Sequence, residues 1–217
     1  MSRKSVYLVP ILCLLFASVA WGASEPVNIP KMATAPAIDG DLADWAGMPG
    51  VYVSSGLLST GSALDGDDDL SFWFMSGYDD DTLYVAYRVI DDVIVMEKSG
   101  SSIWQNDCAE LWLNGQQLGV TLANGQNSFM YSFMGGDATG TKIAVKKAAG
   151  GYNVEIAVPK AVVERFIGKK MASGTSFQFS FGVDDADTRG GDRDSQIYYP
   201  RGWEWNVVST YATATFE

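Results

Sequence analysis

The sequence predicts an all-β protein, an antiparallel β-sandwich of jelly-roll-like form with one short helix. Three observations lead there. Beyond Val27 the chain breaks into short runs of alternating or aromatic-rich residues. The runs are punctuated by Gly, Asp and Asn, which turns favour because they tolerate unusual backbone angles or bond their own backbone. Only one stretch carries apolar residues at helical spacing. With 47% hydrophobic, 12% aromatic and 19% charged residues, the 217-residue chain has material for a sizeable core and lacks the composition of a disordered segment.

Taken in order, the chain begins with Arg3 and Lys4, then the apolar run Val6 to Ala20, then small residues with candidate cleavage points after Ala20 or Gly22. That is the layout of a secretory signal over residues 1–22, and its apolar run, interrupted by Pro10, is shorter than the ~20 residues of a spanning helix. The expectation is a secreted or periplasmic protein with no membrane association after cleavage. Leu70 to Met75 and Leu83 to Ile90, joined by Gly77-Tyr-Asp-Asp-Asp81, read as a hairpin. Its second strand puts Leu83, Val85, Tyr87 and Val89 on one face and Tyr84, Ala86, Arg88 and Ile90 on the other. Further strands are expected at Cys108 to Asn114, Ser128 to Phe133, Lys142 to Lys147, Tyr152 to Val158, Ser176 to Val183 and Thr210 to Phe216. The helix is expected over Lys160 to Lys169, directly after Pro159, with Val162, Val163 and Phe166 on its buried face. No Pro- or Ser-rich linker and no fixed-period repeat interrupts the series, so residues 23–217 read as one domain.

Charge and composition exclude several function classes. Fifteen Lys+Arg against 26 Asp+Glu give a net charge of -11, which argues against nucleic acid and anionic membranes as partners. The chain has no histidine, so Ser-His-Asp and Cys-His catalysis, His-ligated zinc and His-ligated haem are out. Signal removal would take away Cys13 and leave Cys108 alone, so no internal disulfide would staple the exported form. Cys108 itself reads as a small buried hydrophobe.

Two residue types remain as candidates for chemistry. Trp45 and Trp73, beside apolar neighbours, are expected in the core. Trp104 sits in the polar Ile103-Trp-Gln-Asn-Asp107, and Trp203 and Trp205 flank a charge in Arg201-Gly-Trp-Glu-Trp-Asn206. Indoles among amides and carboxylates suit a sugar, whose C–H face stacks on the ring while its hydroxyls meet the polar rim. Aspartates cluster at 39–44, 65–69, 79–81, 91–92 and 184–194, mostly as solvated turns. Asp185-Ala-Asp-Thr-Arg-Gly190 starts like an EF-hand loop, but Arg189 and Gln196 stand where oxygen ligands belong. A structural calcium held by some of these carboxylates is an expectation without assigned ligands. A glycosidase pair of carboxylates has no specificity among so many acids.

Several segments in order resemble the family-nine carbohydrate-binding modules and their DOMON-like β-sandwich relatives. They are Ala37-Ile-Asp-Gly-Asp-Leu-Ala-Asp-Trp45, Asp81 to Asp92, Trp104-Gln-Asn-Asp-Cys-Ala-Glu-Leu-Trp-Leu113, Gly150 to Pro159 and Phe181-Gly-Val-Asp-Asp-Ala-Asp187. The resemblance implies a non-catalytic binding sandwich in which two tryptophans clamp an oligosaccharide or polysaccharide. It places Trp104 on the first clamp, Glu110 on a hydroxyl acceptor, Trp205 on the second clamp with Trp203 as rival, and Arg193 on a basic sugar contact. Gln105 and Asn106 would help orient the ligand. Met130 stands where sugar-binding members carry a basic residue, and Gly182 where they carry an amide.

The alternative is a haem-binding electron-transfer domain on the same sandwich, with ligands drawn from Met96, Met130 and Met134 and from Lys98, Lys142 and Lys146. A small exported hydrolase is a third reading, without a catalytic motif to carry it. Since such modules are usually fused to a catalytic domain, a free-standing one would work as a glycan sensor or within a larger enzyme or surface assembly.

Overall fold

The computed structural model describes residues 25–217, so the secretory-signal reading of residues 1–22 lies outside the described residues. Thirteen strands form two sheets. The smaller sheet has the order β2-β4-β5-β10-β9, from Gly50–Val53 (β2), Leu70–Tyr78 (β4), Thr82–Asp91 (β5), Gly151–Pro159 (β10) and Lys142–Ala148 (β9). The larger runs β1-β13-β11-β6-β7-β8, from Val27–Ile29 (β1), Ala212–Phe216 (β13), Ser176–Asp185 (β11), Cys108–Leu113 (β6), Gln116–Ala123 (β7) and Asn127–Ser132 (β8). Ser195–Tyr199 (β12) pairs with the end of β11, and Leu58–Gly61 (β3) pairs with β12. All pairings are antiparallel except β1 with β13.

Period-two alternation decides which side chains meet between the sheets. Leu83, Val85, Tyr87 and Val89 of β5 are fully buried and face Ala109, Leu111 and Leu113 of β6 and Phe179, Phe181 and Val183 of β11 within one core. Phe74 of β4 stacks on Phe181 with centroids 3.7 Å apart, linking one sheet to the other. Each such ring contributes about 1.5–3 kcal/mol on burial.

The opposite face of β5, with Tyr84 and Ala86, is also covered. Trp45 lies over it with Met75 and Ala157. Trp45 is therefore buried as expected, but Trp73 is not in the core. It is half-buried on the outer side of β4, tilted against Tyr52 at 5.0 Å, because its position in the strand alternates away from Phe72 and Phe74. The expected helix runs Lys160–Ile167 (α1), buries Val162, Val163, Phe166 and Ile167, and ends on Gly168 at φ +68, a left-handed cap that glycine adopts freely.

Candidate functional site

With the outer face of the small sheet closed by Trp45, the outer face of the large sheet is where side chains converge on open space. Cys108, Glu110 and Trp112 point outward from β6, opposite in phase to its core residues. Glu110 sits between Gly119 of β7 and Gly182 of β11, its direct cross-strand neighbours. Neither neighbour has room for a side chain. A Cβ on Gly119 would lie 2.6 Å from the Phe133 ring, and one on Gly182 would lie 2.5 Å from the Tyr198 ring. The two glycines let aromatic rings lie down on the sheet on either side of one carboxylate.

Around that carboxylate is a cavity of about 700 Å3, lined by Trp104, Glu110, Gln117, Phe133, Met134, Arg193, Gln196, Trp203, Glu204 and Trp205, with Ser59 and Thr60 from β3. Trp104 comes from a 3-10 turn, Gly100–Gln105, anchored by buried Ile103. The Arg193 guanidinium carbon lies 5.1 Å from the centre of the Trp104 ring, within cation–π range. Arg193 Nη1 donates to Asp184 Oδ1 at 2.9 Å, and Gln196 Nε2 donates to the same oxygen at 2.7 Å. Trp203 is buried, stacked on Tyr198 at 3.9 Å with Trp112 edge-on at 6.0 Å. This packing fixes the loop that carries Trp205, whose side chain is 62% exposed. Trp203 is thus part of the wall and Trp205 the projecting ring.

Glu110 is buried, and burial is the main reason its carboxyl is pushed up. Gln117 Nε2 (2.6 Å) and the Tyr198 hydroxyl donate to its Oε2, while Oε1 has no hydrogen-bond partner. Asp184 is pushed well up, first by burial and then by the charge of Glu110, against the pull of Arg193. Burial alone would lower the Arg193 guanidinium, but Asp184 holds it above its ordinary value.

The four residues singled out from the sequence, Trp104, Glu110, Arg193 and Trp205, thus line one cavity although they span a hundred residues of chain. Asn106 does not join them. It is buried, and its Oδ1 accepts from the backbone N–H of Glu97 and Lys98, so it ties down the loop instead. Gln105 lies outside the lining and reaches Asp192 at 3.5 Å. Met130 packs against the core, and the strand's alternation sends it away from the cavity. Gln117, Phe133, Gln196 and Glu204 join these residues only in the folded structure.

Most aspartates sit in exposed turns as expected, but four do not: Asp91, Asp107, Asp184 and Asp185 are buried. Carboxylate oxygens of Asp91, Asp107 and Asp185 lie within 4.8 Å of one another. Asp107 accepts from Val95 N–H at 2.5 Å and Ala186 N–H at 2.9 Å, whereas Asp185 has no donor on either oxygen and Asp91 none on Oδ2. Burial pushes Asp91 up to about 6 and Asp185 up to about 8, each with neighbouring carboxylates adding to the rise. The unpartnered oxygens of Asp185 and Asp91 are hard ligands of the kind that a calcium ion takes.

Against known proteins, the family model described as carbohydrate family 9 binding domain-like matches residues 38–216. The chain belongs to this family. Its members are non-catalytic carbohydrate-binding modules, and the family-nine chain here keeps their sandwich. A family 9 carbohydrate-binding module from Caldicellulosiruptor kristjanssonii in complex with cellotriose superposes with a TM-score of 0.67 at 20% identity, over 89% of this chain and 94% of that one. A glucose complex from the same organism gives a TM-score of 0.64 at 21% identity, over 88% and 95%. Comparison with curated proteins finds no match. The haem alternative gains nothing from this family-nine sandwich. The large cavity is lined by Met134 but by no lysine, Met96 and Met130 pack into or against the core, and Lys142 and Lys146 are exposed.

Proposed function

We propose that this chain is an exported carbohydrate-binding module that holds an oligosaccharide or the end of a polysaccharide against Trp104 and Trp205 without turning it over. The observation that carries the reading is the convergence of Trp104, Glu110, Arg193 and Trp205 on one cavity. Trp104 and the projecting Trp205 offer ring faces for the C–H side of a pyranose. Gln117, Gln196, Arg193 and Glu110 supply the donors and acceptors that would fix its hydroxyls. The likeness to modules solved with cellotriose and glucose supports a β-glucan or a related hexose chain as the first ligand to try. Calcium at Asp91, Asp107 and Asp185 belongs to the same reading, as a brace for the loop bearing Arg193. In the cell the module would act as a glycan sensor or as part of a larger assembly.

Tryptophan fluorescence, titrated against a panel of oligosaccharides, tests it. Trp104→Ala and Trp205→Ala are each expected to weaken binding by about 1–3 kcal/mol, the loss of one good aromatic anchor. Parent-like affinity in both variants would overturn the clamp, and a flat response across the panel would overturn sugar binding itself.

A further inference from the structure

The charges around the cavity do not balance, and the imbalance has a direction. Among the described residues Arg193 is the single cation in the lining, and its guanidinium is engaged by Asp184 at 2.9 Å. No lysine lines the cavity. Against that one committed charge stands the exposed Glu204 carboxylate at the rim, and the floor is the buried carboxyl of Glu110, which brings an acceptor oxygen. Glu110 is 1% exposed, and its Oε1 has no donor; the buried Asp184, within 4.8 Å of it, has none on Oδ2. Glu204 is exposed, and its carboxylate makes no hydrogen bond or ion pair with the described residues. A net charge of -11 over the whole chain adds a field of the same sign, which a concave, low-dielectric site concentrates.

Building on the carbohydrate reading above, we infer that the cavity selects sugars carrying a protonated amine, 2-amino-2-deoxy glycans, over neutral and acidic ones. An ammonium group brings three donors and a positive charge to a site whose one lining cation is already committed to Asp184. The indole faces of Trp104 and Trp205 attract the same charge through their ring quadrupoles. N-acetylation of the amine removes the charge and two of its donors, and a uronate would place a further anion beside Glu204.

The test compares three β-linked trisaccharides that differ only at the 2-position: cellotriose, N-acetylated chitotriose and its fully de-N-acetylated form. Each is titrated into the protein at low salt, with calcium held constant and the pH low enough to protonate the amine. The de-N-acetylated trimer is expected to bind about tenfold more tightly than cellotriose, equivalent to about 1.4 kcal/mol. That preference should shrink as salt shortens the screening length. It should also narrow in Glu204→Gln, a change at an exposed position that the fold tolerates. Equal affinity for cellotriose and the amino trimer would overturn this inference and leave the carbohydrate reading standing. Displacement of the amino trimer by calcium alone would assign the carboxylates to a metal and overturn it as well. Failure of all three trimers to bind would overturn both.

Discussion

Glu155→Ala is expected to lower the free energy of unfolding by about 2–4 kcal/mol, the cost of leaving two buried neutral donors without an acceptor. Glu155 lies on β10, fully buried under the Trp45 lid. Its Oε1 accepts from the Trp45 indole N–H at 2.8 Å, and its Oε2 accepts from the backbone N–H of Asp39 at 3.0 Å and Gly40 at 2.6 Å. One side chain thus satisfies the tight turn at Asp39-Gly40 and the indole that covers the outer face of the small sheet. Removing it leaves the Trp45 indole and the Gly40 N–H without an acceptor in a buried site, while the N–H of the exposed Asp39 can turn to water. Gly40 cannot compensate by being replaced. It sits at φ +82, and a Cβ there would lie 2.5 Å from Lys146 Cβ. Glu155→Gln keeps one acceptor oxygen but turns an amide NH2 toward donors, so about half the loss is expected. Urea denaturation of the three proteins measures it. A loss below about 1 kcal/mol in the alanine variant would mean that other contacts hold the lid. Sugar binding below the unfolding transition should be unchanged, because the lid and the cavity lie on opposite outer faces of the sandwich.

The Ile-Asp-Gly turn and its tryptophan were legible in the sequence, but their partner was not. Glu155 reads as an ordinary outward residue of a strand until the fold brings it 110 positions back onto Trp45. The long strands were visible because their alternation is strong, as in β5, β10 and β11. The strands that escaped notice were short or polar: β1, β2, β3 and β12 depend on their neighbours for pairing. The missed β7 did carry a signal. Asn114-Gly115 and Asn124-Gly125 bracket it, with both asparagines and Gly125 at positive φ, and such dipeptides between apolar runs mark hairpins. Reading them would have put Gln117 beside Glu110, since β6 and β7 pair Trp112 with Gln117 and Glu110 with Gly119. Phe133 and Glu204 carried no local signal, as their place depends on two glycines that leave space and on the Trp203 stack. Aspartate burial was misjudged for a similar reason. Asp91, Asp107 and Asp185 stand at strand ends, where turn chemistry and convergence of three strands look alike along the chain.

Calcium is expected to stabilise the protein by about 2.7 kcal/mol at a hundred times its dissociation constant, by mass action on a site present only in the folded state. For a chain of this size that is a rise of roughly 5–10 °C in Tm, reversed by a chelator. The geometry explains why the site should exist only when folded. Asp91 ends β5 in the small sheet, Asp107 precedes β6 and Asp185 ends β11 in the large one, so an ion among them fastens the two sheets at one end. The Tyr152 hydroxyl, also buried and without a partner, carries the field of Asp107 and Asp91. Without a cation the three acids repel one another, and burial with that repulsion raises their carboxyls toward the protonated form. Protons and calcium therefore compete for the same oxygens, and the calcium effect should grow as pH rises past about 6 and toward about 8, where burial puts Asp91 and Asp185. Asp185→Asn should abolish the calcium-dependent rise in Tm while retaining the size and shape of the side chain. The loop from Ala186 to Asp194 leaves this cluster and delivers Arg193 to the cavity, with Asp194 N–H bonded back to Asp185 O at 2.8 Å. Stripping the ion should thus loosen the wall behind Trp104 and weaken sugar binding along with stability. A Tm that ignores both calcium and chelator at pH 8 would show that the cluster takes no calcium.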